Sequence, residues 1–544
     1  MNKEVTVVKG VLVSPELRTK RGVEIVMSGG RIIEIKNCPN VNKPFILPGF
    51  IDSHIHIESS MLIPSAFARM AVRHGTVAVV TDPHEVANVA GIDGIRFMVN
   101  DAKQTKLKFF FGIPSCVPAS PIEKSGAVLG AEKVESLLKE NDFYFLAEMM
   151  NFPGVVFNDK DVHRKLNAAK KVGKPIDGHA PGLSGVPLEQ YVNSGISTDH
   201  ECSTTEEAIE KIGLGMKIQI REGSAAKNFE KLIPIVKSHK DSVMFCTDDC
   251  HPDYLQKGHI NKIVARAIEL GYDLYEVLQI ACINPINHYK IPIGKIEVNC
   301  KPDFTVVNDL VSFDVIETYI DGEKIFGQNE VFLNEPKTLP NSFYFRDELC
   351  KEELKVTAKS QNLNVIGVID GELITKWIKE TVLVPIGSVV DTNPQQDLLK
   401  IVLLDRYSNS KPIVGFIRGF GIKKGAIAAS IAHDSHHIIS VGCDDESIYK
   451  SLTWIIDSRG GICYTHNETQ GIPLPFYGLM TSMDGDKVSQ MYQELNNLVK
   501  ENGCTLESPF MTASFMALTV IPELKIYHKG LFDSTNFKHV DLFI

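Results

Sequence analysis

From Gly49 to Asp249 one pattern recurs eight times: a brief apolar run that ends in polar residues and is followed by a longer stretch of helical periodicity. The runs are GFIDSHIH, VAVVTDP, FFFGIPS, FYFLAEM, KPIDGHA, ISTDHEC, KIQIREG and VMFCTDD. Short strands alternating with amphipathic helices build parallel sheet, because a parallel connection must cross back over the face of the sheet. Eight such units predict an α/β fold of the (β/α)8, TIM-like barrel type, whose active sites lie at the C-terminal ends of the strands. The polar residues closing each run are therefore the ones to inspect for chemistry.

The flanks of this pattern read differently. Residues 4–36 are short strands, VTVVKG, VEIVMS and RIIEIK, parted by turns, a meander too small to stand alone. After a helical pair over 260–282, the strand-like KPDFTVV and VIETYIDGEKIF return between 301 and 326. Pairing the two groups gives one small β-sandwich domain, residues 1–46 with 290–335, into which the barrel, 47–289, is inserted. VFLNEPKTLPN, with two prolines and little periodicity, reads as a linker. Residues 342–544 then form a separate α/β domain with strands such as ELKVTA, NVIGVID, KIVLLDR and HIISVG. Division into domains agrees with the length of 544 residues, because single cores stop growing at roughly 250–300 residues.

Charge narrows the partners. With 57 Lys and Arg against 67 Asp and Glu the net charge is -10, and no basic run is present, so a nucleic-acid partner is not expected. MNKEVTVVKG alternates charged and β-branched residues, unlike a secretion signal. No stretch approaches the ~18 apolar residues of a membrane span. The 11 cysteines are scattered singly without a CxxC pair, which suits reduced thiols in the cytoplasm.

His54 and His56 in DSHIH sit two apart, so on a strand both side chains leave one face and can converge on a cation. Later strands end in Glu148, His179, His200 with Glu201, and Asp248 with Asp249. Gathering four imidazoles and two or three carboxylates at one rim without a metal would carry a heavy desolvation cost. The set exceeds what one tetrahedral zinc needs and suits two ions about 3.5–4 Å apart, with Glu148 as the candidate bridge. Its mixed imidazole and carboxylate character fits Mn²⁺ or Fe²⁺ at least as well as Zn²⁺. His84 and Glu85 in TDPHE, and Arg221 and Glu222 in IREGS, end further strands and read either as substrate-binding groups or as structural ion pairs. HDSHH, His433 to His437, has no second ligand cluster beside it in sequence and reads as a turn or an interdomain contact, with a part in a lid as the alternative. Met149, Met150 and Phe109–Phe111 read as core.

Taken together, LPGFIDSHIHIESSM, TDPHEVANVAG, AEMMNFPGV, DGHAPG, TDHECS, REGSAAKN and CTDDCHP resemble the adenine deaminases, a branch of the amidohydrolase superfamily, over nearly the whole chain. Many relatives bridge two metals with a carboxylated lysine on the fourth strand, where this chain has Glu148. The resemblance implies hydrolytic deamination of adenine to hypoxanthine and ammonia, by metal-activated water, in purine salvage. It implies His54, His56, Glu148, His179, His200 and Asp248 as ligands of two divalent ions, manganese or iron with zinc as the alternative. Asp248 would be general base and then acid, with Asp249 a supporting loop residue. Glu201 would meet a purine ring nitrogen or else hold His200 in place. For His84, Glu85, Arg221 and Glu222 the two readings stay open, the purine edge or structural ion pairs. The expected partner is adenine, with no nucleic acid and no membrane, and the expected state a homo-oligomer, a dimer. A cyclic-amide hydrolase, a deaminase of another base, or a non-catalytic scaffold are the competing readings; the last would show lost ligands, and none is lost.

Overall fold

The computed structural model describes residues 5–224, 226–340, 343 and 345–544. The N-terminal MNKE, Ala225 within REGSAAKN, and positions 341 and 342, where the linker was expected to end and the last domain to begin, lie outside the described residues. The chain divides into two compact units. The first comprises Met1–Pro83, Arg96–Cys116 and Leu129–Lys337, and the second His84–Ile95, Val117–Val128 and Thr338–Ile544.

In the first unit all eight expected runs form strands that pair in parallel. Phe50–Ile55, Thr76–Thr81, Lys108–Ile113, Phe143–Met149 and Ile176–Gly178 lie in that order in one sheet. Thr198–Asp199, Lys217–Arg221 and Val243–Cys246 form another. Backbone hydrogen bonds join the sheets at both edges: Asp248 N–H donates to His54 O at 2.9 Å and His56 N–H to Asp248 O at 3.2 Å, while Ser197 N–H donates to Ile176 O at 2.9 Å. Parallel strands are covered on both faces and so read as continuous apolar runs rather than alternating ones; every residue of Phe50–Ile55, Thr76–Thr81 and Val243–Cys246 is buried. Helices such as Lys160–Val172 and Thr205–Gly213 separate the strands, each started by a side-chain cap. Asp159 accepts from the N–H groups of Asp161 and Val162, and Thr204 from that of Glu207, satisfying donors that no helical carbonyl can reach. Gly75 turns the chain into the second strand at φ 78°, and a Cβ there would meet Thr305 Oγ1 at 2.6 Å, so this corner requires glycine.

The N-terminal meander and the returning strands pair into one sheet, where a β-sandwich was expected. Among the described residues its order is Glu330–Val331, Glu323–Gly327, Val315–Ile320, Phe304–Val307, Phe45–Pro48, Val5–Ser14, Thr19–Ser28 and Arg31–Asn37. The junction is Phe45–Pro48, which pairs in parallel with Val11 and Leu12 and antiparallel with Phe304–Val307. Val23, Ile25, Ile32, Ile46, Phe304 and Tyr319 pack as its core.

The second unit is built on another mixed sheet, with Leu399–Leu404 and Ile438–Gly442 at its centre and the helix Asp445–Asp457 against it. NVIGVID, KIVLLDR and HIISVG are strands there, as read from sequence. ELKVTA is not: Lys351–Leu354 forms a 3-10 turn, and only Thr357 makes an isolated bridge, to Val389. Leu354 is fully buried while its neighbours alternate in exposure, and that pattern imitates a strand. No helix among the described residues is long and apolar enough to cross a membrane.

Candidate metal centre

The strand ends of the first unit bring together the residues singled out there. His54 and His56 turn their Nε2 atoms toward each other at 3.2 Å. Both face Asp248 Oδ1, at 3.5 and 3.1 Å, and Glu148 Oε1, at 4.0 and 3.3 Å. The other Glu148 oxygen lies 2.7 Å from His179 Nδ1 and 3.4 Å from His200 Nε2. Glu148 thus stands between two imidazole pairs, one oxygen to each. The His54 and His200 rings stack with centroids 4.0 Å apart. Glu201 Oε1 completes a further group with His179 Nδ1 at 3.7 Å and His200 Nε2 at 3.5 Å.

This donor set fits divalent cations. Two buried imidazole nitrogens 3.2 Å apart repel each other through their lone pairs unless a proton or a metal ion lies between them. Of the three carboxylates gathered here, Glu201 and Asp248 pair with the Arg221 guanidinium, and Glu148 is met by the imidazoles of His56, His179 and His200. Burial works against ionising Glu148, yet hydrogen bonds from His179, His200 and His56 outweigh it and hold the carboxyl well below its usual range. For Asp248 burial is outweighed first by the Arg221 charge and then by His54 and His56. The converse appears on the imidazoles: burial would lower His179, but the charge of Glu201 and the hydrogen bond to Glu148 push it up to about 9. Protons thus gather where cations would neutralise the same excess negative charge.

Asp248 sits at φ 55°, a left-handed conformation uncommon outside glycine and costing on the order of 1–3 kcal/mol unless the surroundings impose it. Here both its backbone N–H and its carbonyl are bonded to the first strand, at His54 and His56. Asp52 adds to that seam, accepting from Thr247 N–H at 3.1 Å and from the Thr247 hydroxyl.

Sequence reasoning missed the groups that hold these side chains. Tyr191, fully buried on the helix Gly185–Asn193, accepts from the His179 N–H at 3.0 Å and donates to Met149 O at 2.7 Å, so it spaces the strand bearing Glu148 from the loop bearing His179. Lys211 donates to Ala180 O at 2.7 Å and to the Asp199 carboxylate. Asp199 in turn accepts from Glu201 N–H at 3.1 Å. The one available signal was an Asp directly preceding a ligand, as in TDH. Tyr191→Phe removes a single hydroxyl from such a support and should weaken metal binding about 10–100-fold, the usual cost of losing an outer-shell partner. Chelator competition on the purified variant measures it; an affinity equal to the parent's would show that His179 is placed without Tyr191.

The remaining candidates are placed as follows. Arg221 donates to Glu201 Oε1 at 2.5 Å and Oε2 at 3.1 Å, to Asp248 Oδ2, and through Nε to Ala226 O at 2.8 Å. Glu222 turns away from this group to Arg266, at 2.7 Å. Asp249 Oδ1 accepts from the Ser59 hydroxyl at 2.5 Å. His84 and Glu85 begin the helix His84–Ala102 and group with the second unit. There Glu85 Oε1 meets His433 Nδ1 at 2.6 Å, and Oε2 meets His436 Nε2. His84 Nε2 lies 3.5 Å from Glu85 Oε1. This corrects the expectation that HDSHH stands without a companion cluster: the partner comes from a residue 348 positions away, beyond the reach of local pattern.

The amidohydrolase family model matches residues 45–325, and the model of the adenine deaminase C-terminal domain matches residues 372–538. The adenine deaminase of Methanosarcina mazei is 46% identical over 548 residues, covering 98% of this chain and 99% of that protein. Those of Methanosarcina barkeri and Borreliella afzelii are each 47% identical, covering 98% and 95% of this chain and 99% and 96% of theirs.

Proposed function

The chain belongs to the adenine deaminase family of amidohydrolases, and we propose that the centre at His54, His56, Glu148, His179, His200 and Asp248 is where it carries out hydrolytic deamination of adenine to hypoxanthine and ammonia. The observation that carries this reading is the position of Glu148, one oxygen toward each imidazole pair, in the place where a bridging ligand is needed. We read the parallel strands as one closed (β/α)8 barrel, which the backbone hydrogen bonds at both seams support. Residues 1–46 and 290–335 form the β-domain around it, and 342–544 the C-terminal domain.

These six side chains would hold two divalent ions, manganese or iron in keeping with the mixed donor set. When bound, such ions supply a water whose pKa is lowered toward neutrality. The protein's own part is proton handling. As water adds to C6 of adenine, the C6–N1 π pair moves onto N1. The Asp248 carboxylate takes one water proton and passes it to the amino group, and the C6–N bond breaks to release ammonia. The remaining hydroxyl proton ends on N1 as the C6 carbonyl of hypoxanthine forms. Arg221 keeps that carboxylate ionised and aimed, through the bond to Oδ2, leaving Oδ1 turned to the imidazoles. Glu201, gripped on both oxygens by the same guanidinium, presents an ionised acceptor to the N–H edge of the purine ring.

Ammonia release and the adenine-to-hypoxanthine absorbance change, followed on full-length protein reconstituted with Mn²⁺ under reducing conditions, test this reading beside a Glu148→Gln variant. Turnover of adenine that collapses in the variant is expected. Metal-loaded protein that leaves adenine untouched would overturn it.

A further inference from the structure

The second unit contains a buried ligand cluster that the deamination chemistry does not use. Glu85, His433 and His436 are at most 6% exposed, and their donor atoms converge: the two carboxylate oxygens of Glu85 separate His433 Nδ1, at 2.6 Å, from His436 Nε2. We propose that these three residues form a further divalent-metal site, distinct in its ligands from the centre at Glu148.

Two imidazole nitrogens and one carboxylate are the protein ligands of an open site, which keeps a coordination position for water or a small ligand, and they suit Zn²⁺, Fe²⁺ or Mn²⁺. The cluster is also rigidly held. Ser435, between the two histidines in sequence, donates to Glu123 Oε2 at 2.9 Å, and its carbonyl accepts from the Tyr407 hydroxyl at 2.7 Å. The His433 ring stacks on Phe515 at 4.8 Å between centroids. On the other side Asn88 donates through Nδ2 to His84 O at 3.0 Å, and its own carbonyl accepts from Gly126 N–H at 2.7 Å, fixing the turn that carries Glu85. Donors locked from both sequence segments are what a metal site requires, since each ligand must be placed before the ion arrives. His436 sits at φ 52°, and a buried histidine in that conformation persists only where its surroundings impose it. The rival account is a carboxylate that accepts one hydrogen bond from each imidazole, with no ion.

Metal stoichiometry separates the two. Full-length apoprotein is loaded with Zn²⁺, and in a parallel sample with Mn²⁺, freed of excess ion by gel filtration, and its metal content measured by mass spectrometry. The expected content is one equivalent more in the parent than in Glu85→Gln or His436→Gln, with the two equivalents of the Glu148 centre retained in both variants. A parent content of two, or a content of three that neither variant lowers, would overturn the site. Because a variant can fail to fold, anomalous scattering at the zinc edge from crystals of the loaded parent gives an independent reading: a peak about 2.0–2.2 Å from His433 Nδ1, His436 Nε2 and a Glu85 oxygen is expected, and its absence overturns the proposal.

Discussion

Asp248→Asn should lower kcat on adenine by about 10²–10⁴-fold, the contribution of a well-placed general acid–base group. The substitution is a clean one because asparagine, like aspartate, tolerates the left-handed conformation that the chain adopts at φ 55°. The two backbone hydrogen bonds that close the seam with the first strand are therefore preserved. What is removed is the negative charge facing His54 and His56, and with it the capacity to carry a proton between water and the departing amine. Because the carboxyl also faces the imidazoles, metal content must be measured in the same preparation and the rate expressed per loaded molecule. Ammonia release under saturating adenine then reads the loss directly. A loaded variant within tenfold of the parent would move the proton-handling role to another residue, and Glu201 would be the first to examine.

The strand ends were legible because the physics behind them is local. A run of four to six apolar residues followed by a polar one is visible without knowing the partner strand, and DSHIH carries its geometry in its spacing. Glu148 was legible for the same reason, as the acid at the end of FYFLAEM. The supports were not. Lys211 lies in the helix TEEAIEKIG, where a lysine ordinarily faces water, and nothing near it in sequence announces that its Nζ is fully buried against Ala180 and Asp199. Tyr191 looks like any core aromatic until its hydroxyl is found between His179 and Met149. Arg221 was legible only as a substrate-binding group or a structural ion pair, and the sequence does not announce that its partners are Glu201, Asp248 and Ala226. Each of these depends on which strand ends lie side by side, and that is a property of the whole sheet. Glu85 and His433 are the extreme case, contributed by segments that only the folded second unit brings together.

Lys211→Met should be the most damaging single change to stability near the centre, costing about 3–5 kcal/mol, because it strands a buried carboxylate that had one dedicated cation. Burial would raise the Asp199 carboxyl, but the Lys211 charge overrides it and holds the group at about 2, so in the parent the two are ionised partners. Lys211 also bonds Glu207, one turn earlier on its own helix, at 2.6 Å, and Glu207 receives the Gly182 N–H at 2.8 Å. One ammonium therefore pins the loop after His179 and the strand that presents His200. Thermal or urea unfolding of the apoprotein measures the loss, and chelator competition should show weaker metal binding in the folded fraction. The double variant Lys211→Met with Asp199→Asn discriminates a charge effect from a packing effect. Removing both partners leaves no uncompensated charge, so stability should recover in part, by more than the sum of the single changes allows. Metal affinity should not recover with it, because the bond from Lys211 to Ala180 O is still missing. Recovery of both together would mean that the pair serves folding alone, and that His179 and His200 are positioned by Tyr191 and the strands themselves.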